Sequence, residues 1–269
     1  MKYTILGSKG FIGSHFVKYF KTQNIEFSAP DIRTDTEIFS KPLGNIIYAI
    51  GVSNFVEKPL EAIDAHVCIL KKILEKCNFD SLLYISSGRI YYNSLSTVED
   101  EKVTIDPSNP NDLYNISKIM GESLCLSTNR KNVRVVRPSN VLGIGAPSNL
   151  FVPSIIKDAI KQNKIILHST LESKKDYIFI DDVIDLIIKI IQNGKSRIYN
   201  VASGYNIKSQ DIINKIVEIT NCSIEISNDA KEFSSGQINI DKIKNEFDFI
   251  PTKVTDKIED LIKFYQNSG

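Results

Sequence analysis

The residues of this chain best suited to chemistry are a serine, a tyrosine and a lysine in two short segments. Ser87 ends an apolar run, and Tyr114 and Lys118 are four positions apart, a spacing that places both on one face of a helix. An ordinary phenol has a pKa of about 10, too high for efficient proton exchange at neutral pH, and a nearby ammonium group lowers it. We predict that Tyr114 transfers a proton, that Lys118 lowers its pKa, and that Ser87 polarises a substrate carbonyl or hydroxyl oxygen by a hydrogen bond.

The Tyr-x-x-x-Lys spacing is weak support by itself, because a chain with 11 tyrosines and many lysines contains such a match by chance. The position of the Tyr-Lys pair along the chain supports a functional role more strongly than the spacing does. The predicted helix that carries Tyr114 and Lys118 follows the strand that ends at Ser87, and the carboxyl edge of a parallel sheet brings such residues together. The three histidines lack the spacing of metal ligands, and Ser87 does not lie in a Gly-x-Ser-x-Gly turn. We predict no metal site and no serine nucleophile.

A glycine-rich turn near the start of the chain predicts a second site. Gly7, Gly10 and Gly13 follow the first apolar run directly and open the first predicted helix. Glycines let main-chain N–H groups approach a nucleotide pyrophosphate, which binds favourably at a helix N-terminus. This arrangement predicts a dinucleotide beside the proton-transfer residues, as a hydride-transfer enzyme requires. The residues expected to contact it are Gly7, Lys9, Gly10, Phe11, Ile12, Gly13, Asp31, Arg33, Ala49, Gly51, Tyr114 and Lys118.

Three charged residues bear on the choice between NAD and NADP. Asp31 lies eighteen residues after Gly13, where a carboxylate accepts hydrogen bonds from the adenosine ribose and repels a 2′-phosphate. Lys9 and Arg33 oppose this preference, since either cation pairs with a 2′-phosphate. The predicted cofactor is therefore NAD(P)H, with both forms open.

Short β-branched runs alternate with helix-length amphipathic segments, the pattern of a parallel sheet with crossover helices. The predicted strands are Tyr3–Leu6, Ile25–Ser28, Asn45–Ile50, Ser81–Ile85, Val133–Val136, Ile165–Leu167, Tyr177–Phe179 and Arg197–Val201. The predicted helices are Phe11–Gln23, Pro59–Cys77, Pro110–Ser127, Phe151–Gln162, Asp181–Gln192, Ser209–Thr220 and Thr255–Gln266. The predicted fold class is α/β, a Rossmann-like doubly wound parallel sheet (1–140 and 181–201) with a smaller C-terminal α/β substrate lobe (141–180 and 202–269).

The composition excludes several classes of partner. The charge is nearly balanced, with 33 basic and 32 acidic residues interspersed along the chain, so a nucleic acid partner is not expected. The N-terminal apolar run is broken by glycine too early for a secretory signal, and no later stretch is long enough to span a bilayer. The four cysteines show no CxxC spacing, which is typical of thiols in a reducing cytoplasm. We expect a cytoplasmic protein with no membrane partner.

Further motifs follow the glycine turn and accompany the Tyr-Lys pair. They are Tyr84-Ile85-Ser86-Ser87, Ile90-Tyr91, Glu122, Arg137-Pro138-Ser139-Asn140-Val141-Leu142-Gly143, Lys175-Asp176-Tyr177-Ile178-Phe179-Ile180-Asp181-Asp182-Val183 and Tyr199-Asn200-Val201-Ala202-Ser203-Gly204. With them the chain resembles, over nearly its whole length, the extended short-chain dehydrogenase/reductase family. The resemblance is to its nucleotide-sugar epimerase, dehydratase and reductase branch in particular.

The resemblance implies which residues contact a nucleotide-sugar substrate. Asn140 would face the diphosphate or the sugar, and Asn149 and Leu150 would face the nucleotide base. Lys175 stands where the family usually has an arginine, so the charge toward the diphosphate is kept and the bidentate grip is lost. The full set of substrate-binding residues implied is Ser87, Arg89, Asn140, Asn149, Leu150 and Lys175.

Two departures from the family pattern restrict the reaction. The 4,6-dehydratases of the family carry an Asp-Glu pair directly after the catalytic threonine, where this chain has Gly88 and Arg89. The epimerase-reductases of the GDP-fucose type place a cysteine two residues before the tyrosine that Tyr91 matches, and that position is also Arg89. Water elimination and C3/C5 epimerisation are thus disfavoured. The resemblance leaves hydride transfer at one carbon, most often C4.

The stretch between the second and third predicted strands is short. Only sixteen residues separate Ser28 from Asn45, fewer than the family's epimerases use for a further helix and strand that help to hold NAD. We infer a cofactor that exchanges in every turnover. The predicted function is an NAD(P)H-dependent reductase that delivers hydride to C4 of a nucleotide-linked 4-keto-6-deoxyhexose, with Tyr114 as the proton donor. A C4-epimerase with tightly held NAD is the main alternative, and reduction of another ketone or a non-catalytic dinucleotide-binding role are lesser ones.

The resemblance also implies a homodimer. The family usually pairs the helix that carries the Tyr-Lys motif with the helix before it. In this chain those are the predicted helices Pro110–Ser127 and Pro59–Cys77.

Overall fold

The computed structural model describes residues 1–52, 55 and 57–267. The strands are β1 (Tyr3–Leu6), β2 (Phe27–Ser28), β3 (Asn45–Tyr48), β4 (Ser81–Ile85), β5 (Val133–Pro138), β6 (Asn140–Leu142), β7 (Lys164–Ser169), β8 (Lys174–Phe179), β9 (Ile198–Val201), β10 (Asn206–Lys208) and β11 (Ser223–Lys231). The helices are α1 (Phe11–Thr22), α2 (Pro59–Ile63), α3 (Ile69–Lys76), α4 (Leu113–Ser127), α5 (Phe151–Gln162), α6 (Ile180–Asn193), α7 (Ser209–Thr220), α8 (Asp241–Phe247) and α9 (Ile258–Asn267). Among the described residues, none of these helices combines the length and the apolar character needed to cross a membrane.

The large sheet has six parallel strands in the order β2-β1-β3-β4-β5-β9. β1, β3 and β4 are buried at every position, as strands of a parallel sheet are when helices cover both faces. On one face Phe16 and Phe20 of α1 pack in the same core as Ile187 of α6. On the other face Leu70 of α3 and Cys125 of α4 share a core with β3 and β4. The α/β class and the doubly wound parallel sheet are confirmed.

β2 forms one edge of this sheet and is only two residues long. The predicted strand Ile25–Ser28 is shorter because Asn24 has a φ of 54° and the Ile25 N–H still bonds to the Phe20 carbonyl, which completes the end of α1. Residues 29–44 contain a single 3-10 turn, Thr36–Phe39, and no described strand pairs with the outer side of β2. The sheet therefore ends at β2.

The remaining strands form two small sheets, β10-β8-β6 and β11-β7. α5, α7 and α9 surround them with apolar side chains such as Ile156, Ile213 and Ile262. The sequence assigns residues 202–269 to the substrate lobe, whereas the structure packs Ile240, just before α8, and Ile243 of α8 into the core of the large sheet. The bounds of the two lobes remain a prediction.

Most predicted elements are present, and their ends differ from the predicted ones by at most three residues. Phe151–Gln162 and Ser209–Thr220 match to the residue. The sequence patterns miss β6, β10, β11 and α8. β6 and β10 have three residues each, and β11 is largely exposed, so none of them shows the apolar run by which a buried strand is recognised.

The predicted helices Pro59–Cys77 and Pro110–Ser127 each contain an irregular turn that the sequence does not predict. The predicted helix Pro59–Cys77 is interrupted by a π turn at Asp64–Cys68. The predicted helix Pro110–Ser127 begins with a 3-10 turn, which Asn109 caps by accepting a hydrogen bond from the next-but-one main-chain N–H. These turns set the directions in which α3 and α4 continue.

Several of the motif residues meet in one buried network. Arg137 of β5 pairs with Glu122 of α4, with 2.6 Å between Nη2 and Oε2 and 3.1 Å between Nε and Oε1. Nη1 of Arg137 donates to the Tyr91 hydroxyl at 2.6 Å, and this hydroxyl donates to the Asn200 amide oxygen at 2.9 Å. Glu99 accepts a hydrogen bond from the main-chain N–H of Asn200 at 2.9 Å. The network joins α4, β5, β9 and the segment that follows β4.

Replacing Glu122 with glutamine leaves the guanidinium of Arg137 buried without its counter-charge. We expect Glu122→Gln to lower the free energy of unfolding by about 3–5 kcal/mol, as removal of one partner of a buried ion pair does. Urea unfolding followed by circular dichroism measures the change. The control is Glu259→Gln in the exposed Glu259–Lys263 pair, which should cost less than about 1 kcal/mol. Equal effects of the two variants would contradict the role of the network.

Candidate active site

The glycine-rich turn joins β1 to α1, and the Gly10 N–H closes it by donating to the Gly7 carbonyl at 3.0 Å. Gly7 has a φ of +89°, and a Cβ there would lie 2.6 Å from the Ala49 carbonyl oxygen. A Cβ on Gly13 would overlap the Gly7 carbonyl, so both positions need glycine. α1 has no side-chain cap and no acidic residue in its first turn. Its N-terminal amide groups and dipole therefore suit an anionic pyrophosphate.

The other residues predicted to contact the cofactor lie around this turn. Phe11 and Ile12 are the first two residues of α1, and both are half-buried. Ala49 and Gly51 follow β3, the strand beside β1 in the sheet. The structure thus brings the glycine turn and the end of β3 to the same edge of the sheet.

Lys9 and Asp31 form an exposed ion pair beside β2, with 2.8 Å between Nζ and Oδ2. The other carboxylate oxygen of Asp31 accepts a hydrogen bond from the main-chain N–H of Arg33 at 3.1 Å. The hydrogen bond from Lys9, followed by the one from Arg33, lowers the pKa of Asp31. Asp31, which favours NAD, therefore lies next to Lys9 and Arg33, which favour NADP, so the structure leaves the preference open.

Ser87 and Tyr114 meet at the carboxyl edge of the large sheet. Ser87 follows β4 and caps the 3-10 turn Gly88–Tyr91, its Oγ accepting a hydrogen bond from the Arg89 N–H at 3.2 Å. Tyr114 lies in the first turn of α4, close enough to Ser87 for the serine side chain to lower the pKa of the phenol. A serine hydroxyl and a phenol in contact can together hold one substrate oxygen.

Lys118 lies one turn further along α4 and is buried, with 4% of its surface exposed. Its Nζ donates to the Ile85 carbonyl at 2.9 Å and lies 5.9 Å from the centre of the Tyr114 ring. Burial lowers the pKa of Lys118 to about 7, and the Glu122 carboxylate opposes this shift. An ammonium group has three N–H donors, so donors are left for a ligand at the end of β4.

The expectation that Lys118 lowers the pKa of Tyr114 stays a prediction, although the Lys118 Nζ lies 5.9 Å from the centre of the ring. Burial raises the pKa of Tyr114, and the effects that oppose it are the Ser87 hydrogen bond and the charge of Arg89. The Lys118 ammonium is turned toward the end of β4, whereas the Arg89 guanidinium lies 5.7 Å from the centre of the Tyr114 ring and 4.9 Å from that of Phe55. The phenol is therefore protonated at neutral pH, which suits a proton donor.

A cleft of about 610 Å³ opens beside Ser87. The predicted site residues that line it are Ser87, Arg89, Asn140 and Lys175. Asn149 and Leu150 are not brought to it. Both are exposed just before α5, and neither is among the described residues that line the cleft. Their contact with a nucleotide base remains a prediction.

Arg89 and Lys175 bring two positive charges to the cleft. Lys175 is half-buried, with its Nζ 5.8 Å from the centre of the Phe233 ring. Burial and then the charge of Arg89 lower the pKa of Lys175, so the two cations repel each other. Asn140 lies beside them and donates its amide to the Asp176 carbonyl at 2.7 Å. A ligand with two negative charges, such as a diphosphate, would relieve this repulsion.

Two of the described residues that line the cleft are carboxylic acids, and both take part in local hydrogen bonding. Asp112 accepts from the Asn115 amide and from the Asp106 N–H, each at 2.9 Å. Asp176 is buried and accepts from two main-chain N–H groups, at 3.0 and 2.8 Å. These two carboxylates therefore stabilise turns.

Three parts of this site are not predicted by the motifs. Phe55 packs against Tyr114 with 4.8 Å between ring centres, and the His66 ring lies edge-on to Tyr114 at 5.4 Å. The segment 233–236 lines the cleft. The sequence does carry signals for two of them: a histidine among the apolar positions of a helix, and an aromatic residue followed by Ser-Ser-Gly in an otherwise polar stretch.

Comparison with known proteins gives one family match. The sequence model of the NAD dependent epimerase/dehydratase family matches residues 3–202. A dTDP-D-glucose 4,6-dehydratase of Dictyostelium discoideum is 23% identical over 273 residues, which cover 81% of this chain and 62% of the relative. GDP-6-deoxy-D-mannose reductase of Pseudomonas aeruginosa is 28% identical over 161 residues, 55% of this chain and 52% of the relative. The chain therefore spans about half to three-fifths of the length of these two relatives.

Another relative aligns along almost the whole chain. It is a UDP-glucose 4-epimerase of Mycoplasma genitalium, 24% identical, with 98% of this chain and 96% of the relative covered. Solved structures share the fold: MoeE5 in complex with UDP-glucuronic acid and NAD has a TM-score of 0.83 at 14% identity, with both chains covered completely. RMD from Pseudomonas aeruginosa complexed with NADPH has a TM-score of 0.81 at 19% identity, with 99% of this chain and 100% of that chain covered.

Lys118→Met keeps the length of the side chain and removes its buried charge. The pKa of Lys118 is about 7 in the folded protein, against about 10.4 in an unfolded chain, so the unfolded state binds more protons between these values. The contribution of Lys118 to the free energy of unfolding therefore becomes more favourable as the pH rises from about 7 to about 10.4. At about pH 6.5 we expect the free energy of unfolding of Lys118→Met to exceed that of the wild type by about 0.5–2 kcal/mol. This difference should shrink toward about pH 10.

Urea unfolding at several pH values measures this difference. Lys131→Met, at an exposed position, is the control and should show no pH-dependent gain. A Lys118→Met variant that is less stable than the wild type below neutral pH would contradict the burial of an unfavourable charge at this site.

Proposed function

Since the chain belongs to the NAD-dependent epimerase/dehydratase family, we propose that it is an NAD(P)H-dependent reductase of a nucleotide-linked 4-keto-6-deoxyhexose. The observation that carries the proposal is that Ser87 lies close enough to Tyr114 to act on the pKa of its phenol, next to a cleft that Arg89 and Lys175 line. Such a site supplies one proton to one oxygen and holds an anionic substrate. Reduction of a ketone requires this proton together with a hydride.

The residues present fit a nicotinamide dinucleotide. The glycine turn and the start of α1 suit its pyrophosphate, because a Cβ at Gly7 or Gly13 would fill the space next to the main chain. At the other end, a Cβ on Gly51 would lie 3.9 Å from Lys118 Nζ, so the lysine reaches the end of β3. When bound, the reduced nicotinamide supplies the hydride for the carbonyl carbon.

Ser87, which lines the cleft, and Tyr114, which lies near Ser87, then hold the oxygen and supply its proton. The keto oxygen accepts hydrogen bonds from Ser87 and Tyr114, which polarise the carbonyl group. As negative charge develops on this oxygen, Tyr114 donates its phenolic proton and the product hydroxyl forms. The Arg89 guanidinium, 5.7 Å from the centre of the ring, stabilises the phenolate that remains until solvent reprotonates it.

The residues after Ser87 argue against water elimination. Gly88 stands at the first position of the acidic pair found in dehydratases, and a Cβ there would lie 2.9 Å from the Ile238 side chain and 3.1 Å from the Pro138 carbonyl oxygen. Arg89 stands at the second position, with its guanidinium over the Phe55 ring. A second acid–base pair therefore has no place beside the serine.

The short edge of the sheet supports a cofactor that leaves after each turnover. β2 has two residues, and only the 3-10 turn Thr36–Phe39 lies between it and β3. The Lys9–Asp31 pair at this edge is exposed. Few groups are thus available there to retain the adenosine end. The relative from Pseudomonas aeruginosa is named as a reductase of a GDP-6-deoxy sugar, which agrees with the proposed substrate class.

The purified protein should oxidise NADH or NADPH only when a nucleotide-linked 4-keto-6-deoxyhexose is present. Tyr114→Phe should lower kcat roughly 10²–10⁴-fold because the proton donor is lost, and Ser87→Ala roughly 10²–10³-fold. Loss of the nicotinamide absorbance measures the rate, and comparing the two cofactors shows whether Lys9 and Arg33 outweigh Asp31. Tyr19→Phe on α1 is the control and should retain full activity. Interconversion of UDP-sugars with no net cofactor oxidation would overturn the proposal.

A C4-epimerase is the second candidate, because the Mycoplasma genitalium epimerase aligns with nearly the whole chain. An epimerase first oxidises and then reduces the same carbon. Its NAD is therefore regenerated within each turnover and can stay bound. Native mass spectrometry of the purified protein separates the two: stoichiometric retained NAD favours the epimerase, and a protein without dinucleotide that binds NAD(P)H reversibly favours the reductase. A biological role that survives Tyr114→Phe would favour the non-catalytic alternative.

A further inference from the structure

His66 is a buried histidine that the proposed reaction does not use. It lies in the π turn Asp64–Cys68 between α2 and α3, and none of its surface is exposed. π turns are uncommon inside helices and occur frequently at functional sites. The imidazole packs edge-on against Tyr114, next to the groups that transfer the proton.

The hydrogen bonds around His66 determine which ring nitrogen carries the proton. Ser117 Oγ donates to the Tyr114 carbonyl oxygen at 2.8 Å, since a carbonyl can only accept. Nδ1 of His66 lies 2.8 Å from the same Oγ and must therefore donate to it. Burial, and then the charge of Lys118, lower the pKa of His66 to about 3, so the ring is neutral at physiological pH. Nε2 is consequently a hydrogen-bond acceptor.

Nε2 of His66 is buried and has no hydrogen-bond partner among the described residues. It faces the end of β3, where a Cβ on Gly51 would lie 3.6 Å from Nε2 and 3.9 Å from Lys118 Nζ. Glycine at this position leaves both nitrogen atoms facing the same space. A buried acceptor without a partner is costly, and a ligand that donates a hydrogen bond there removes the cost.

The two nitrogens have complementary roles, because Lys118 Nζ donates and His66 Nε2 accepts. A hydroxyl group both accepts and donates a hydrogen bond, whereas a phosphate oxygen only accepts. We propose, on the basis of the proposed function, that His66 Nε2 accepts a hydrogen bond from a hydroxyl group of the ribose that carries the nicotinamide, the group that Lys118 is expected to contact. His66 is thereby a cofactor-positioning residue.

Buried groups on three elements hold His66 in this position. Tyr48 of β3 donates to the Ala65 carbonyl at 2.6 Å, and Tyr84 of β4 donates to the His66 carbonyl at 3.4 Å. α4 approaches closely at Gly121, where a Cβ would lie 2.7 Å from the same His66 carbonyl oxygen. The imidazole is therefore fixed before a ligand binds, which reduces the entropy lost on binding.

His66→Asn tests the Nε2 acceptor separately from the Ser117 contact. Its amide N–H can take the place of Nδ1 and donate to Ser117, and no atom takes the place of Nε2. We expect the Kd for NADH or NADPH, measured by fluorescence titration without substrate, to rise about tenfold. ADP-ribose should lose affinity similarly, and ADP, which lacks the second ribose, should bind both proteins equally. His66→Gln, whose amide oxygen reaches the Nε2 position, should restore most of the affinity.

His168→Asn, at an exposed histidine paired with Asp229, is the control and should leave every Kd unchanged. Thermal unfolding checks each variant, and His66→Phe, which also lacks the acceptor, replaces His66→Asn if that variant does not fold. An unchanged Kd for NAD(P)H overturns the proposal, as does an equal loss of affinity for ADP, which indicates a general structural effect. If the wild type binds no dinucleotide, the proposed function fails as well. If it binds and the variant binds equally, only the role of His66 fails.

Discussion

The site depends on the burial of one charge, the guanidinium of Arg137. Burying an unpaired guanidinium would lower the stability of the fold by several kcal/mol. The bidentate pair with Glu122 and the hydrogen bond to Tyr91 offset this desolvation cost. Glu122 belongs to α4, and Tyr91 ends the 3-10 turn that Ser87 caps. If α4 or the 3-10 turn moved away, the buried guanidinium of Arg137 would lose a hydrogen-bond partner. The network thus ties the 3-10 turn after Ser87 to the helix that carries Tyr114.

The polar groups around Tyr114 have separate tasks. Arg89 supplies the charge that opposes the effect of burial on the phenol. Lys118 donates to the Ile85 carbonyl at the end of β4, and its Nζ lies near Gly51, as does the Nε2 atom of His66. In the proposed reaction, Arg89 would stabilise the phenolate and Lys118 would contact the cofactor. Burial raises the pKa of Tyr114, so the phenol holds its proton at neutral pH and suits the role of proton donor in the proposed reduction.

The sequence predicts the large sheet well because its strands are continuous apolar runs and its helices are amphipathic. It also predicts that Ser87, Tyr114 and Lys118 lie at one edge of the sheet, because of their order along the chain, and the structure places them there. The direction of the Lys118 side chain is not readable from spacing, because it depends on a carbonyl of β4 that comes close only in the folded chain. The π turn at Asp64–Cys68 is likewise set by tertiary contacts, from the hydroxyls of Tyr48 and Tyr84.

Isotope transfer tests the central claim most directly. The wild type would be incubated with NADH or NADPH that carries deuterium at the transferred position and with a nucleotide-linked 4-keto-6-deoxyhexose. The proposed reaction predicts one deuterium at C4 of the product and an equal amount of oxidised cofactor, measured by mass spectrometry. A product that forms without deuterium, or a C4 epimer that forms with no net oxidation of the cofactor, would contradict it.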